Sequence, residues 1–347
     1  AQLNFSNDHI NISDYCKELL NDVEILAGSS GTEPNGLIGR IDFDNLEELQ
    51  EELQKSSDAL SPEGLLNTGF QGLNRMFGGG LRRGTLTNFG ALTHNYKSGI
   101  LIDLALNIPM YNKPFMMNPK KKPMVLRMSF ENTTSLDISI MYQKLYEIKF
   151  KRRCVMPEID IMMAANALHD HYTSKGYKFV LESYDPNTFE IWDLFSTIEK
   201  YEEEGYEIHA ISCDYATQFA HNTVGERLDT KIQKTHEMIR NHCFPKGICF
   251  LTAHQLSTAA QELSKESKAT FTKKVCTGGW YMDCKSLHTK LDAEVLLHIV
   301  KHVDNIKYLT FSRGKHRGGE NTPDVHQHFV QPFAEFGGLS PDVGLEK

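Results

Sequence analysis

Short apolar segments alternate with longer segments of helical periodicity along most of this chain, and that alternation constrains the fold more than any other feature. From Asn67 onward, strand character is concentrated in seven segments, namely 84–91, 123–131, 178–183, 207–215, 247–255, 293–301 and 306–313. Helical character follows the first three of them, over 98–111, 134–150 and 188–204. Strands joined by crossover helices form parallel sheets with helices on both faces. The sequence therefore predicts an α/β domain with a mostly parallel central sheet.

The first 66 residues have a different character, and we interpret them as an N-terminal extension before a domain over 67–347. One helix is expected near Ile12–Ala27 and a second, acidic one over about 44–56. The second carries a narrow apolar stripe on one face, at Leu46, Leu49 and Leu53. Such a stripe is too small to form its own core, which favours a surface helix or one that docks on a neighbouring subunit.

Composition narrows the possible classes of protein. The 347 residues are 40% hydrophobic and 24% charged, and no apolar run approaches the roughly 20 residues that a membrane-spanning helix needs. A net charge of −8 argues against a protein coated in nucleic acid, although it leaves room for a few basic loops that hold a strand. Seven cysteines lack C-x-x-C spacing, which predicts reduced thiols and a cytoplasmic location.

The turn between the first predicted strand and its helix reads GALTHNYKS, residues 90–98. A phosphate-binding loop has the pattern G-x-x-x-x-G-K-[ST], in which the lysine reaches the β- and γ-phosphates and the hydroxyl binds Mg²⁺. Lys97 and Ser98 fit the end of this pattern. Tyr96 does not, because a glycine there accepts positive φ and lets the backbone approach the phosphate. Taken alone, the segment favours a chance Lys-Ser pair over a nucleotide site.

Polar residues at the ends of later predicted strands complete a candidate ATPase site, because open α/β sheets bind ligands at the carboxyl ends of their strands. Glu131 is placed to activate an attacking water, Asp214 to lie near Mg²⁺, and Gln255 to sense the γ-phosphate. Each of these residues by itself is also compatible with an ordinary helix cap. Their occurrence in the order that an ATPase requires favours a site for ATP and Mg²⁺.

The segment that precedes the loop, TGFQGLNRMFGGGLRRGTLTNFGA over 68–91, resembles the start of the RecA-like core in DnaB-type replicative helicases. That family often begins its loop with Gly-Ala and places the lysine seven residues after the glycine, a spacing that Gly90 and Lys97 keep. Ala91 is therefore ordinary for the family, whereas Tyr96 departs from it. Four further elements resemble the family in order, namely SFEN (129–132), DYATQF (214–219), AHQL (253–256) and LDAEVLLHI (291–299).

The resemblance spans about residues 44–330 and implies a RecA-like P-loop ATPase core with helices on both faces of its sheet. It also implies an ATP- and Mg²⁺-dependent hexameric DNA helicase that translocates on single-stranded DNA in replication, in contact with a primase or a helicase loader. The helix over 44–56 lies where these helicases carry a linker helix that packs on a neighbouring subunit. The short region before it and the divergent motifs suit a phage member, located in the host cytoplasm.

The resemblance also assigns the site residues. Catalytic roles go to Glu131, Gln255 and Lys97, and the metal ligands are Ser98 and Asp214. The nucleotide-binding residues are those of the loop, namely Gly90, Ala91, Leu92, Thr93, His94, Asn95, Tyr96, Lys97 and Ser98.

A basic segment near the end of the chain, GKHRGGE over 314–320, resembles K-x-R-x-G. In hexameric helicases this element supplies a lysine and an arginine finger to the neighbouring subunit's nucleotide, and the correspondence assigns these catalytic roles to Lys315 and Arg317. Residues separated by one position on a strand point to the same side, so both cations can reach one γ-phosphate across an interface. The alternative is a basic hairpin tip that faces solvent.

Two segments correspond to the family's DNA-facing loops, 217–231 and 257–280. The second is polar and contains glycine and lysine, a composition that suits a mobile loop holding phosphates without sequence preference. An ordinary solvated loop is the alternative. The candidate DNA-binding residues are Lys265, Lys268, Lys273 and Lys274.

Two other interpretations stay open. Another RecA-like ATPase, of the RadA or KaiC type or a strand-exchange recombinase, shares the K-x-R element, although the acidic linker-like helix favours the helicase. A catalytically impaired structural protein on the same fold would account for Tyr96. Loss of function usually removes catalytic acids and fingers too, yet Glu131, Asp214 and Arg317 are all present. We therefore predict a loop that binds nucleotide, with the Tyr96 ring turned outward.

Overall fold

The computed structural model describes most of the chain after the first 39 residues, namely 40–220, 225–267, 270–301, 306–317, 323–335 and 337–343. The chain divides into two compact units, Ala1–Lys55 and Ser56–Lys347. The helix predicted near Ile12–Ala27 lies outside the described residues. The acidic segment after it forms helix α1, Leu46–Leu60, which extends beyond the predicted end at residue 56.

The second unit is built around a mostly parallel sheet. Its strands are β3 (Leu86–Ala91), β4 (Lys122–Ser129), β5 (Lys178–Ser183), β6 (Tyr206–Asp214), β7 (Cys249–Gln255), β8 (Ala293–Lys301), β9 (Lys307–His316) and β10 (His328–Pro332). Their order across the eight-stranded sheet is β10-β9-β8-β3-β7-β6-β4-β5. Strands β3 to β8 run parallel to one another, β9 is antiparallel to β8, and β10 is antiparallel to β9. A separate antiparallel pair joins β1 (Leu65–Leu66) to β2 (Leu81–Arg82).

Helices cover both faces of this sheet. They are α2 (Gln71–Met76), α3 (Lys97–Tyr111), α4 (Thr134–Phe150), α5 (Ile161–Thr173), α6 (Ile191–Glu203), α7 (Leu228–Cys243), α8 (Thr258–Glu266) and α9 (Phe271–Val275). One apolar core joins the sheet to α2 and α3, and another joins it to α6, α7, α8 and α9. Strand β7 serves both cores, because Phe250 packs into one and Leu251 into the other, as the alternation of side chains along a strand requires. The predicted α/β fold with a mostly parallel sheet is confirmed.

The segment over 257–280 is not the mobile loop that its composition predicted. Helices α8 and α9 occupy much of it, and Phe271 and Val275 of α9 are buried in the core. These two residues lie four apart on one face of the helix, so their packing explains why a lysine-bearing segment is ordered. The other predicted loop, 217–231, runs into α7 at Leu228, and its residues 221–224 lie outside the described part of the chain.

The pairing of the strands aligns their carboxyl ends at one edge of the sheet. Ala91 at the end of β3 lies opposite Gln255 at the end of β7, and Ser129 at the end of β4 lies opposite Asp214 at the end of β6. The antiparallel strand β9 ends at the opposite, amino-terminal edge, which is formed by the amino ends of the parallel strands. Its last residue lies there opposite the first residue of β8. Among the described residues, no helix is both long and apolar enough to cross a membrane.

Candidate active site

The turn between β3 and α3 contains the predicted phosphate-binding residues and is held to the sheet by Asn95. The Oδ1 atom of Asn95 accepts a hydrogen bond from the Ile299 N–H of β8 at 2.9 Å. Its Nδ2 atom donates to the Thr93 carbonyl at 3.0 Å within the turn. The first N–H groups of a helix have no partner inside it, so the start of α3 presents backbone donors and the positive end of the helix dipole at the carboxyl edge.

The nine residues assigned to the loop differ in exposure. Gly90, Ala91 and Leu92 are buried, Thr93 and His94 are exposed, and the rest are half-buried. Lys97 is the first residue of α3, and its Nζ donates to the Leu92 carbonyl at 3.3 Å across the turn. This bond holds the lysine head against the backbone of the loop.

Tyr96 adopts the backbone conformation for which glycine is usual at this position. Its φ of 68° and ψ of 22° lie in the left-handed region, which costs a residue with a side chain about 1–2 kcal/mol. The expectation that its ring turns outward is wrong. The ring packs edge-on against Phe333 with 5.0 Å between centroids, and the hydroxyl oxygen accepts a hydrogen bond from Lys144 Nζ at 2.6 Å. Burial raises the pKa of the Tyr96 hydroxyl. The ring therefore anchors the turn inside the protein.

Lys144 also joins this anchor to two helices. Its Nζ, on α4, lies 2.5 Å from Oδ1 of Asp103, on α3, and both side chains are almost wholly buried. Burial favours the neutral amine, but the Asp103 carboxylate outweighs it and raises the pKa of Lys144. The charged pair and the Tyr96 hydroxyl form a continuous polar contact under the loop.

Lys97, Glu131 and Asp214 lie together at the carboxyl edge, close enough for the charge of Asp214 to affect the pKa of both Lys97 and Glu131. Burial and the charge of Asp214 raise the pKa of Glu131, while Lys97 acts against that rise. Burial lowers the pKa of Lys97, although the charges of Glu131 and Asp214 act to raise it. Gln218 Nε2 donates a hydrogen bond to Glu131 Oε1 at 3.2 Å. A carboxylate with a raised pKa beside an open loop has the properties of a general base.

The two carboxylate oxygens of Asp214 differ in their partners. Its Oδ2 atom accepts a hydrogen bond from Arg127 Nη2 at 3.1 Å, whereas its Oδ1 atom is buried without a hydrogen-bond partner in the described structure. Magnesium prefers carboxylate and hydroxyl oxygens together with phosphate oxygens. The unpaired oxygen of Asp214, with Ser98 in the first turn of α3, therefore fits Mg²⁺ bound beside a nucleotide.

Gln255 lies beside the loop, as predicted for a residue that senses phosphate. It is the last residue of β7, and the N–H of the next residue, Leu256, donates to the Ala91 carbonyl at 2.9 Å. A cavity of about 320 Å³ at this point is lined by Gln255, by loop residues including Thr93 and Asn95, and by Lys265.

The two predicted finger residues lie at the amino-terminal edge of the sheet, opposite the carboxyl edge that holds the loop. The Arg317 N–H donates to the Asp292 carbonyl at 2.7 Å, and its Nη1 lies 3.5 Å from Oδ1 of Asp292. The other oxygen of Asp292 accepts from the N–H of Leu86, the first residue of β3. Five steps of about 3.3 Å along β3 separate that point from the loop, so Arg317 lies roughly 16 Å away from its own phosphate-binding turn.

Lys315 lies at the same far edge as Arg317. Its Nζ donates to the Thr289 carbonyl at 2.7 Å, and its N–H donates to Oε2 of the buried Glu294 at 3.3 Å. Burial lowers the pKa of the Lys315 amine. The structure thus separates Lys315 and Arg317 from the group formed by Lys97, Glu131 and Asp214.

Three of the four predicted DNA-binding lysines are on the helices that follow β7. Lys265 is exposed and pairs with Glu262 at 2.8 Å, and Lys274 is exposed and donates to Ser267 Oγ at 2.5 Å. Lys273 is exposed beside it, whereas Lys268 lies outside the described residues. Their contact with DNA stays a prediction.

Sequence reasoning did not identify the buried charged residues that support the site, Arg127 and Lys144. A signal was present for Arg127 and for Asp103, since each is a lone charge inside an apolar run, PMVLRMS and ILIDLAL. Arginine and aspartate are almost never fully buried unless they are paired. A charge in the middle of a core strand or helix therefore predicts a partner, although it does not say which.

Comparison with known proteins gives a consistent result. A family model described as a divergent DnaB-like ATPase matches residues 11–347. A solved structure described as an ATPase domain is similar with a TM-score of 0.59 and 13% identity, over 90% of this chain and 100% of that chain. A DnaB-like replicative helicase, solved in a study of its interactions with primase, is similar with a TM-score of 0.59 and 14% identity, over 93% of this chain and 71% of that chain. At such identities the two structures show a shared fold. No curated protein sequence matches the chain significantly.

Proposed function

The chain belongs to the divergent DnaB-like ATPases, and from that premise we propose that it is an ATP-dependent DNA helicase of the hexameric type, which translocates on single-stranded DNA in replication. A primase or a helicase loader is the partner class that this role implies.

The observation that carries the proposal is the division of the site between two edges of one sheet. Lys97, Glu131 and Asp214 surround the loop at the carboxyl edge, and Arg317 is at the other edge. A head-to-tail contact between copies brings the second edge of one subunit to the first edge of the next, and such contacts close into rings when the rotation allows. Each nucleotide would then have a complete set of catalytic groups only at an interface.

The residues at the loop would act on ATP in distinct ways. The backbone donors at the start of α3 and the Lys97 amine hold the phosphates, while Glu131 accepts the proton of the attacking water. When bound at Ser98 and Asp214, Mg²⁺ neutralises charge on the phosphate oxygens. From the neighbouring subunit, Lys315 and Arg317 stabilise the charge that develops in the transition state.

The residue that we propose to sense the γ-phosphate is close in the chain to the proposed DNA contacts. Gln255 ends β7 beside the loop, and α8 begins three residues later, at Thr258. That helix carries Lys265, and α9 after it carries Lys273 and Lys274. A change in the contact of Gln255 with phosphate would therefore displace the helices that hold the DNA backbone.

ATP turnover with and without single-stranded DNA tests the proposal. We expect DNA to stimulate turnover, and Glu131→Gln to lower it by about 10²–10⁴-fold while nucleotide binding is retained, because only proton transfer is removed. Lys97→Ala removes the phosphate contact and is expected to weaken binding itself. Turnover that is absent in the native chain, or unchanged in Lys97→Ala, contradicts the proposal.

A further inference from the structure

Arg127 lies in the middle of β4 with a side chain that is 0% exposed, and each of its three hydrogen-bonding nitrogens has a partner. Nη2 donates to Asp214 Oδ2 at 3.1 Å, Nε donates to Asp137 Oδ2 at 3.1 Å, and Nη1 donates to Ser212 Oγ at 3.2 Å. A guanidinium is a rigid planar fork, so three such bonds hold its partners in one arrangement.

The Arg127 guanidinium forms a hydrogen bond with only one of the two carboxylate oxygens of Asp214. Oδ2 is bound to Arg127, and Oδ1 has no hydrogen-bond partner in the described structure. The carboxylate is therefore held in one orientation with one lone oxygen. The Ser212 hydroxyl, which accepts from Arg127, donates to the Leu101 carbonyl of α3 at 2.9 Å. This bond fixes the arrangement relative to the helix that begins at the loop.

On its other side, Arg127 is linked to the segment of the proposed general base. Oδ1 of Asp137 accepts a hydrogen bond from Asn132 Nδ2 at 2.8 Å, and the Asn132 N–H donates to Ser129 Oγ at 3.0 Å. Asn132 follows Glu131 directly in the chain. One buried guanidinium thus connects the Asp214 carboxylate to the backbone that places Glu131.

The charges in this cluster do not balance. Asp137 and Asp214 are both fully buried, and Arg127 supplies one positive charge to two carboxylates. Beyond the cluster, the charge of Asp214 acts on both Lys97 and Glu131. Buried charges are stable when they are paired or bound to a metal, so the lone Oδ1 marks the direction from which a further cation would complete the cluster.

We propose that Arg127 is a positioning residue that fixes the Asp214 carboxylate for a divalent cation and couples it to the Glu131 segment through Asp137 and Asn132. This inference rests on the proposed function, because it takes Asp214 as a metal ligand. Arg127 itself does not touch nucleotide or metal. Residues that orient a metal ligand typically change metal affinity by about 10–100-fold when they are replaced.

The test is the magnesium dependence of nucleotide binding in Arg127→Lys, which keeps the charge but loses the three-way fork. Binding of a fluorescent ADP analogue to the full chain is titrated at a series of Mg²⁺ concentrations and again in EDTA. We expect the half-saturating Mg²⁺ concentration to rise about tenfold, while affinity in EDTA stays within about twofold of the native value. A half-saturating concentration equal to that of the native chain overturns the proposal.

Arg83→Lys is the matched control. Arg83 is also a buried arginine in an ion pair, with its Nη2 2.9 Å from Glu207 Oε1, but it precedes β3 at the opposite edge of the sheet. Both lysine variants should lower the melting temperature, and only Arg127→Lys should change the magnesium dependence. An equal change in both variants assigns the effect to general destabilisation and overturns the proposal. If Arg127→Lys does not fold, Ser212→Ala removes one acceptor without changing charge, and it must shift the dependence in the same direction.

Asp214→Asn separates this inference from the function on which it rests. If native binding does not depend on Mg²⁺, or if Asp214→Asn leaves that dependence unchanged, the metal assignment fails and the positioning role fails with it. If Asp214→Asn abolishes the dependence while Arg127→Lys preserves it, the metal assignment holds and only the role of Arg127 is lost.

Discussion

The Nζ atom of Lys144 donates a hydrogen bond to the hydroxyl oxygen of Tyr96 at 2.6 Å, and this bond holds a tyrosine where a phosphate-binding loop usually has glycine. The same ring packs against Phe333, and the Lys144 ammonium lies 4.8 Å from its centroid. These interactions act against the cost of the left-handed backbone. The turn is therefore supported from inside by its side chain.

The hydroxyl group of Tyr96 should make a measurable contribution to stability. Tyr96→Phe removes the hydrogen bond from the Lys144 ammonium, which keeps Asp103 as its partner, and a longer one from the Leu339 N–H at 3.4 Å. We therefore expect the free energy of unfolding to fall by about 1–2 kcal/mol in chemical denaturation. Tyr146→Phe is the control, since that hydroxyl accepts from Arg152 on the exposed surface, and a change within about 0.5 kcal/mol is expected. Equal decreases in the two variants would show that the buried hydrogen bond contributes nothing particular.

Tyr96→Gly tests whether the unusual loop is functional as it stands. Glycine removes both the backbone strain and the anchoring interactions, so the two effects oppose each other. We expect the native chain to bind ATP, and Tyr96→Gly to change the affinity by no more than about tenfold in equilibrium titration. If ATP binding were detectable only in Tyr96→Gly, the loop would be a damaged one.

Fold class was predictable from sequence because strand and helix periodicities are local. All seven predicted strands occur, two of them with the predicted ends and the others with ends displaced by at most three residues. The lysine-bearing segment was misjudged because its order comes from Phe271 and Val275, whose burial depends on strands distant in the chain. Helix α5 was missed for a related reason, since its first turn carries exposed apolar residues, Ile161 and Met162, that blur the helical period.

The site likewise contains residues that were predictable from the sequence and residues that were not. Residues at strand ends, such as Glu131 and Asp214, were predictable because topology alone brings strand ends together. The buried contacts that support the loop were not predictable, because Lys144 reaches Tyr96 only through the packing of α3 against α4. The left-handed backbone at residue 96 was foreseeable from the position that glycine usually holds, but the tyrosine's means of adopting it was not.

The pH dependence of ATP turnover on its acidic side should change when Gln218 is replaced. As the proposed general base, Glu131 would act in its ionised form, so turnover should be retained above its pKa and lost as pH falls through it. Burial and Asp214 already raise the pKa of Glu131 above the ordinary 4.5, and the Gln218 hydrogen bond opposes that rise. Gln218→Ala should therefore move the acid limb of ATP turnover to higher pH.

Gln233→Ala serves as the control for that shift, because Gln233 Nε2 donates to Ser286 Oγ at 2.8 Å and is not bonded to Glu131. Its profile should match the native one. An acid limb that stays in place or moves to lower pH in Gln218→Ala would remove Glu131 from the role of base.

Mixing two inactive variants tests whether Arg317 acts on the neighbouring subunit. Lys97→Ala removes the lysine proposed to hold phosphate, and Arg317→Ala removes the proposed finger at the amino-terminal edge of the sheet. We expect each variant alone to have little turnover, and mixtures to regain part of it where an intact loop meets an intact finger. Mixtures of the native chain with each variant give the upper bound on the turnover that can be regained. Mixtures no more active than the separate variants would place Arg317 outside the neighbour's site.

The lysines of α8 and α9 should contribute to DNA affinity through charge. Lys273→Ala and Lys274→Ala are each expected to weaken binding to single-stranded DNA of any sequence, and to reduce the slope of log affinity against log salt by about 0.7 for each phosphate that the lysine neutralises. Lys120→Ala is the control, because this exposed lysine precedes β4 at the opposite edge. Fluorescence anisotropy at several salt concentrations measures both quantities, and slopes that match the control would exclude these residues from the DNA path.

Unwinding of a forked DNA duplex tests the proposed helicase activity, because it requires motor, assembly and substrate together. We expect strand separation by the native chain with ATP and Mg²⁺, and its loss in Lys97→Ala, in Glu131→Gln and when ATP is omitted. Strand separation that proceeds equally in Lys97→Ala, or none by a native chain that hydrolyses ATP and binds the fork, would contradict it.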